Sequence, residues 1–367
     1  MSNITFSPAQ LGPLTLANHL VMAPMSRSRA VGNLPNESMV DYYRQRASAG
    51  LLITEGAAPA ADGLGYTNMP GLFTPEQAAG WRRVTDAVHG RGGHIFAQLM
   101  HAGRMFHPLN LPAGAEGVAP SAIAAAGSIW TNQQQMQPNG TPRALGLAEL
   151  GRVRDEFVRS AQLARKAGFD GVELHGANGY LLESFLHPTA NQRTDAYGGS
   201  VANRARFVLE VAQAVAAAIG PERTGIRLSP WGVFGGLEHY PEIDETYAYL
   251  ATELQKIGLV YLHLVDHASM GAPAVPPATV AAIRARFTNT LILSGGYHTV
   301  AGIEAALHGP ADLVAIGRPF IGNPDLVERL RDGVALTEPN PATFYAAAAS
   351  GPAEGYTDYP KANGQPA

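Results

Sequence analysis

The sequence predicts an α/β protein, a (β/α)8 TIM barrel in a single domain over residues 1–367, with an N-terminal hairpin cap. Three observations support this prediction. Eight short apolar segments have the composition of strands, amphipathic helical segments separate them, and no Gly-x-Gly-x-x-Gly motif follows the first strand. Apolar strands that alternate with helices indicate a parallel sheet, and eight such units close into a barrel. A doubly wound open sheet is the competing fold, and the missing dinucleotide and phosphate-loop motifs disfavour it.

The predicted strands are short apolar runs between turn-forming residues. In chain order they are Leu20–Met22, Leu51–Thr54, Ile95–Leu99, Val172–Leu174, Gly225–Leu228, Val260–Leu264, Leu291–Leu293 and Leu313–Ile316. Ahead of them, Gly12-Pro13 predicts a tight turn between two short apolar segments, and this turn forms the hairpin cap.

The predicted helices show apolar residues at helical spacing. They are residues 39–49, 75–90, 149–167, a stretch containing Phe207, Val211 and Val215, and residues 244–257, 279–286, 299–307 and 324–331. Asn323 is expected to cap the last helix, with Pro324 at its first position. Residues 103–146 show no periodicity and several prolines and glycines, which indicates a lid or binding excursion, or small elements within it.

Composition excludes several classes of function. The net charge of −4 gives no electrostatic footprint for nucleic acid or for an anionic membrane. The absence of Cys excludes disulfides, thiolate nucleophiles and cysteine-ligated metal centres. No secretory signal and no apolar run long enough to span a bilayer is visible, so we expect a cytoplasmic protein. No set of residues has the spacing of metal ligands.

Residues at the C-terminal ends of the predicted strands are expected to converge, because in a barrel of this kind the strand ends meet at one mouth, where function resides. Most have hydrogen-bonding side chains, and the set is Pro24, Met25 and Ser26, then Gly56, Gln98, His175, Asn178, Tyr180, Arg227, Ser294-Gly295-Gly296 and Gly317-Arg318. Glycines after the seventh strand and Gly-Arg after the eighth are typical of a phosphate site, with free backbone N–H groups and a fork-shaped cation. The sequence therefore predicts a ligand that carries a phosphate.

Less specific interpretations of these residues are also available. His175 could be a hydrogen-bonded core histidine, and the Gly295-Gly296 pair could be a simple turn. Arg227 lies inside a strand, and a buried guanidinium is costly unless a structural carboxylate such as Glu173 or a ligand oxygen pairs with it. The grouping of His175 with Asn178 and Tyr180 behind one strand favours a functional site.

Five segments resemble motifs of the Old Yellow Enzyme family of FMN-dependent ene-reductases, and the resemblance covers essentially the whole chain. They are Val21–Arg29, Ala97–Arg104, His175–Leu181, Phe185–Gly199 and Ala315–Phe320. The segment Gly355–Pro360 also looks like the C-terminal tail of the classical bacterial members. Taken together, these segments are a specific signal, whereas none of them would be so alone.

The resemblance implies that FMN lies across the barrel mouth and that NADPH supplies its hydride. The residues implied in cofactor binding are Pro24, Met25, Ser26, Gly56, Gln98, His175, Arg227, Gly295, Gly296, Gly317 and Arg318. In that picture Ser26 hydrogen-bonds flavin O4, and Arg227 stabilises the negative charge that develops near N1. His175 and Asn178 would hold the oxygen of an α,β-unsaturated carbonyl compound, and Tyr180 would protonate its α carbon.

Other implied features concern the substrate pocket. Tyr66, Trp130 and Tyr345 look like pocket walls, although ordinary loop packing explains them almost as well. Classical members usually have Thr where this chain has Ser26, and many bacterial relatives have His where it has Asn178. We expect a monomer or homodimer that does not bind nucleic acid or membranes.

Three alternative functions remain open at this stage. The same flavin could reduce nitrate esters or nitroaromatics, which would not need the Tyr180 proton. A flavin-free barrel lyase or isomerase is disfavoured because the three lysines, Lys166, Lys256 and Lys361, do not follow strands. A pure ligand-binding protein would have no reason to place Tyr180 beside two carbonyl anchors.

Overall fold

A computed structural model describes residues 4–345, 351 and 353–365 of the chain. Its centre is a closed barrel of eight parallel strands in the order β3, β4, β5, β10, β11, β12, β13 and β14, with β14 pairing back to β3. The strands are β1 Ala9–Leu11, β2 Leu14–Leu16, β3 Leu20–Met22, β4 Leu51–Ile53, β5 Ile95–Leu99, β6 Val118–Ala119, β7 Ser128–Thr131, β8 Gln135–Pro138, β9 Arg143–Ala144, β10 Gly171–Gly176, β11 Thr224–Leu228, β12 Tyr261–Val265, β13 Thr290–Ser294 and β14 Leu313–Ile316. The predicted (β/α)8 barrel is confirmed.

Helices surround the barrel, and their buried stripes pack on the outer faces of the strands. They are α1 Glu37–Gln45, α2 Pro75–His89, α3 Leu147–Lys166, α4 Leu181–Leu186, α5 Val201–Ile219, α6 Ile243–Ile257, α7 Pro277–Arg284, α8 Val300–Leu307, α9 Arg318–Gly322 and α10 Leu326–Asp332. The short helices α4 and α9 were not predicted. Among the described residues, none of the helices combines the length and apolarity needed to cross a membrane.

The predicted cap of the last helix is wrong. Asp325 is the N-cap residue of α10, and the helix begins at Leu326 instead of Pro324. The Asn323 amide instead donates to the carbonyl oxygens of Pro319 and Thr337, and its Oδ1 accepts from the Thr337 backbone N–H. Because these bonds tie the Asn323 side chain to the following loop, it cannot cap the helix.

The N-terminal hairpin closes one end of the barrel, as predicted. Strands β1 and β2 pair antiparallel, and Leu11 and Leu16 pack in one buried cluster with Phe96 and Val260. The excursion 103–146 contains a 3-10 helix at Pro108–Asn110 and two small sheets, the antiparallel hairpin β7–β8 and the parallel pair β6–β9. Its function as a lid remains a prediction.

The C-terminal segment is attached to the barrel by stacked rings and arginines. Tyr356 stacks on Tyr42 with ring centroids 4.3 Å apart and an interplanar angle of 7°. The buried Arg27 guanidinium lies 5.1 Å from the Tyr356 ring centroid and donates to the carbonyl oxygens of Gly355 and Phe344. This anchor holds Phe344 and the neighbouring Tyr345 beside the barrel mouth.

Aromatic side chains fill the barrel interior, and glycines on neighbouring strands make room for them. Phe96 and Tyr261 lie with ring centroids 5.8 Å apart. A Cβ on Gly225 would lie 2.3 Å from the Tyr261 ring, and one on Gly171 would lie 2.4 Å from the Phe96 ring. These two positions therefore accept no larger residue without moving the barrel core.

We expect Gly225→Ala to lower the free energy of unfolding by about 1–3 kcal/mol, because the new methyl group overpacks the barrel against Tyr261. Chemical denaturation followed by far-UV circular dichroism measures this. Gly151→Ala is the matched control, since Gly151 lies within α3 with open space around it and should gain up to about 1 kcal/mol. Equal stability of Gly225→Ala and the unmodified protein would contradict the packing argument.

Candidate active site

A cavity of about 900 Å³ lies at the C-terminal ends of the barrel strands. Its lining brings together residues that are up to about 300 positions apart, because parallel strands all end at the same mouth. The predicted site residues that line it are Pro24, Met25, Ser26, Tyr66, Gln98, Trp130, His175, Asn178, Tyr180, Arg227, Gly295, Gly296, Gly317, Arg318 and Tyr345.

Gly56 is the one predicted cofactor residue that does not line the cavity. A Cβ at Gly56 would lie 2.7 Å from Sδ of Met100. Met100 does line the cavity, so the missing side chain of Gly56 makes room for Met100.

The end of β10 presents His175 to the cavity, and the loop that follows presents Asn178 and Tyr180. The Ala177 backbone N–H donates to Nδ1 of His175 at 3.3 Å, so the proton of the neutral ring lies on Nε2. Asn178 adopts a left-handed backbone with φ of 60°, and its Oδ1 is buried without a hydrogen-bond partner. The Tyr180 ring meets the His175 ring edge-on, with centroids 4.7 Å apart.

Tyr180 and Tyr66 form a hydroxyl pair. The Tyr180 hydroxyl donates to the Tyr66 hydroxyl at 3.1 Å. Burial raises the pKa of Tyr180 and raises that of Tyr66 well above its usual value of 10.0. Both phenols therefore stay protonated at neutral pH, and Tyr180 has a proton to give.

Arg227 has no hydrogen bond or ion pair to any side chain in the part of the chain that the structure describes, and its Nε is buried without a partner. The nearby carboxylate, Glu173, is already engaged: it accepts from Gln98 Nε2 at 2.8 Å and lies 2.8 Å from Nδ1 of His263. The alternative that Glu173 pairs directly with Arg227 is therefore wrong. A ligand oxygen is the remaining partner for the guanidinium.

The Arg227 charge also sets the protonation of its neighbours. Burial, followed by the Arg227 charge, lowers the pKa of His175 well below 6.5 and that of His267 to about 4. The pKa of His263 is lowered by burial despite the opposing effect of Glu173. These imidazoles are neutral at pH 7, so the cation on this side of the cavity is Arg227.

The part of the cavity lined by the ends of β13 and β14 suits a phosphate. Gly295 and Gly296 have φ of 121° and 75°, a conformation that only glycine adopts easily. A Cβ on Gly295 would lie 2.2 Å from the Asp266 carbonyl oxygen, whereas the space around Gly296 is open. Arg318 follows at the start of α9, lines the cavity, and forms no ion pair with a described residue.

Sequence reasoning missed several lining residues. Phe234 and His267, whose rings lie 4.6 Å apart, come from loops after β11 and β12. Met100, Met105 and Met136 supply flexible apolar surface. The alternation of polar and apolar residues in Val260–Leu264 could have indicated that His263 faces the barrel interior, but the loop residues carry no such signal.

The comparisons with known proteins identify the family. The protein-family model described as "NADH:flavin oxidoreductase / NADH oxidase family" matches residues 5–337 of the chain. This chain belongs to that family, the Old Yellow Enzyme family. The predicted resemblance is confirmed, and family membership decides against a flavin-free lyase and a pure ligand-binding protein.

Individual relatives cover nearly the whole chain. Chanoclavine-I aldehyde reductase fgaOx3 of Penicillium roqueforti is 41% identical over 365 residues, covering 96% of this chain and 95% of the relative. 12-oxophytodienoate reductase 7 of Oryza sativa subsp. japonica is 38% identical, with 97% and 94% covered. Among solved structures, morphinone reductase is 44% identical with a TM-score of 0.93, covering 99% of this chain and 97% of that one. The Old Yellow Enzyme homologue from Zymomonas mobilis is 39% identical with a TM-score of 0.91, covering 97% and 99%.

The chain is accordingly an FMN-dependent oxidoreductase of the ene-reductase type that takes its hydride from a nicotinamide. The cavity fits this cofactor on structural grounds. Arg227 and Arg318 both line it and form no ion pair with a described residue, and the space beside Gly296 is open. Anionic charge at two places on one ligand would satisfy both cations.

If Arg318 holds the FMN phosphate, Arg318→Gln should raise the FMN dissociation constant by about tenfold or more, the loss expected for one charged hydrogen bond. Titration of apoprotein with FMN, followed by quenching of flavin fluorescence, measures this. Arg286→Gln, an exposed arginine outside the cavity, is the control and should bind FMN normally. Unchanged affinity in Arg318→Gln would place the phosphate elsewhere.

Proposed function

We propose that this enzyme reduces the C=C bond of α,β-unsaturated carbonyl compounds, with His175, Asn178 and Tyr180 as the residues that contact substrate. The single observation that supports this proposal is that the end of β10 and the loop after it bring two neutral donors and a protonated phenol to the same cavity as Arg227. FMN, when bound, supplies a hydride to the β carbon. The protein residues bind the cofactor, polarise the substrate and provide the proton.

The cofactor residues divide between the two ends of the cavity. Gly295, Gly296, Gly317 and Arg318 would hold the phosphate through backbone N–H groups and a guanidinium. Pro24, Met25, Ser26, Gln98 and Arg227 would surround the flavin ring. Arg227 suits the flavin edge where negative charge develops, because its cation is buried and unpaired.

His175 and Asn178 would bind the carbonyl oxygen of the substrate. The His175 Nε2–H is free to donate because its Nδ1 accepts from the Ala177 backbone. Its pKa, held well below 6.5 by burial and by Arg227, keeps it a neutral donor over the physiological pH range. Two hydrogen bonds to one oxygen withdraw electrons from the conjugated alkene and favour attack at its β carbon.

Tyr180 would act as the general acid at the α carbon. The raised pKa keeps its hydroxyl protonated, and the Tyr66 hydroxyl 3.1 Å away can hold the phenol in position. Tyr66 is thus more than a pocket wall in this proposal, since it orients the proton donor.

Tyr180→Phe should slow reoxidation of reduced enzyme by 2-cyclohexenone by about a hundredfold, the usual contribution of a general acid. Reduction of the flavin by NADPH should stay within about twofold of the unmodified rate, since no Tyr180 proton is needed there. Stopped-flow absorbance separates the two half-reactions, and Tyr249→Phe on α6, away from the cavity, is the control.

Equal loss in both half-reactions would contradict the proton-donor role. The alternative chemistry, reduction of nitrate esters or nitroaromatics, would give fast reoxidation that Tyr180→Phe leaves unchanged. A purified protein that is colourless and cannot be reconstituted with FMN would contradict the proposed function.

The rim of the cavity favours a substrate with an apolar body. Four large apolar side chains that line the cavity are also about half exposed or more: Trp130, Met136, Met270 and Tyr345. Trp130 and Met136 are cross-strand partners in the β7–β8 hairpin, Met270 follows β12, and Tyr345 lies in the C-terminal segment. Apolar side chains gathered at one opening are typical of a binding surface.

Trp130→Ala should raise KM for a bulky apolar enone such as a steroid enone by about tenfold, because the indole would no longer cover the substrate body. KM for 2-cyclohexenone should change less than about twofold, since so small a ring is expected to leave the rim uncovered. Leu147→Ala, at an exposed apolar residue outside the cavity, is the control. Equal effects on both substrates would show that Trp130 acts on the loop fold and not on substrate size.

Other features remain predictions. The family supports a nicotinamide donor, and NADPH is the form we propose. A cytoplasmic location, a monomeric or homodimeric state, and a single domain over residues 1–367 are proposed on the sequence alone.

A further inference from the structure

A buried carboxylate, Glu183, underlies the loop that presents Asn178 and Tyr180. Glu183 lies in α4 and is 3% exposed. Its Oε2 accepts from the Gly179 backbone N–H at 2.6 Å. Its Oε1 accepts from the Ser229 hydroxyl at 2.5 Å and from the Tyr247 hydroxyl at 3.0 Å. The proposed chemistry uses none of these groups directly.

Ser229 extends the reach of this carboxylate to a second peptide group. Its Oγ donates to Glu183 and accepts from the Asn178 backbone N–H at 2.9 Å. Two consecutive N–H groups of the loop therefore end on Glu183, that of Gly179 directly and that of Asn178 through Ser229. Neither Glu183 nor Ser229 lines the cavity.

The loop needs such an external restraint. Asn178 has φ of 60° and Gly179 has φ of 75°, so two successive residues adopt a left-handed backbone. Asn and Gly adopt this conformation more readily than other residues but also adopt others, so hydrogen bonds from the surroundings are needed to select it. The direction of the Asn178 amide and of the following Tyr180 depends on this backbone.

A charged carboxylate is an expensive way to provide this restraint. Glu183 forms no ion pair with a described residue, and burial raises its pKa to about 7. Three donors point at its two oxygens, an arrangement that suits the ionised, acceptor-only form. A group kept without a counter-ion at this cost fits a role in the site better than a role in stability.

We propose that Glu183 and Ser229 are positioning residues of the active site: the ionised carboxylate fixes the backbone of residues 178–180, and its protonation releases it. This inference rests on the proposed function, because its expected consequence is a change in how strongly the site binds the carbonyl oxygen of the substrate. The titratable groups that interact electrostatically with Glu183 are the phenols of Tyr240 and Tyr247. Their pKa values are raised, that of Tyr240 to about 12, so Glu183 is the group that titrates near neutrality.

The first test uses the oxidised holoenzyme and 2-cyclohexenone, whose binding perturbs flavin absorbance and which has no titrating group of its own. Ser229→Ala should raise the dissociation constant about tenfold, because Asn178 loses its fixed direction. The control is Ser160→Ala, which removes a different buried serine hydroxyl, one that donates to the Leu72 carbonyl oxygen. This variant should leave the dissociation constant of 2-cyclohexenone unchanged.

The second test is a pH profile of the same dissociation constant. In the unmodified enzyme, affinity should fall as the pH is lowered through about 7, since protonation removes an acceptor that the loop uses. Tyr247→Phe should move this midpoint to higher pH, because the Tyr247 hydrogen bond lowers the pKa of Glu183. In Glu183→Gln, the affinity for 2-cyclohexenone should show no such midpoint, because the amide does not titrate.

Amide hydrogen exchange by mass spectrometry tests the loop without any substrate. A peptide covering residues 176–180 should exchange faster in Ser229→Ala than in the unmodified holoenzyme or in Ser160→Ala. Equal exchange, or an enone affinity that Ser229→Ala leaves unchanged, would overturn the positioning role. If the unmodified enzyme binds no enone at any pH, the proposed function fails, while the exchange rates still decide whether Glu183 and Ser229 hold the loop.

Discussion

The buried cation of Arg227 is the constraint on which the rest of the site depends. Strand β11 directs it toward the cavity with little exposure, and no described carboxylate forms an ion pair with it, since Glu173 is hydrogen-bonded to Gln98 and His263. The Glu173 charge acts on this guanidinium without a direct ion pair, and a buried charge that lacks a hydrogen-bonded partner is destabilising. The cavity therefore favours an anionic ligand beside Arg227, and burial together with the Arg227 charge keeps His175 neutral and able to donate.

Closure of the parallel sheet explains how residues far apart in sequence meet. The ends of β3, β10 and β14 deliver Ser26, His175 and Arg318 to one mouth. This convergence could be predicted because the strands are short, mostly apolar runs between turn-forming residues; Ile95–Leu99 and Leu313–Ile316 have the bounds expected from the sequence. The strand-end rule then selects the polar residues without any knowledge of their contacts.

Other features could not be predicted because long-range contacts determine them. Asn323 is a good N-cap by residue type, but its side chain is bound by Pro319 and Thr337. Gly56 follows a strand like the other site residues, but it packs against Met100 and does not line the cavity. The bond between Tyr66 and Tyr180 joins residues 114 positions apart, and nothing near either residue in the sequence indicates it.

The ionised Glu183 carboxylate lowers the free energy of unfolding but fixes the backbone of the active-site loop. Burial raises its pKa from an ordinary value of 4.5 to about 7, so its ionised form is less stable in the fold than in the unfolded chain, although three hydrogen bonds partly offset this. The contribution of Glu183 to the free energy of unfolding is fully present below pH 4.5 and is lost as the pH rises through about 7. Above that pH the ionised carboxylate costs about 3 kcal/mol of folding free energy. The large apolar core of the barrel offsets this destabilisation. The ionised carboxylate holds the left-handed backbone at Asn178 and Gly179 through hydrogen bonds that are stronger than those to a neutral side chain.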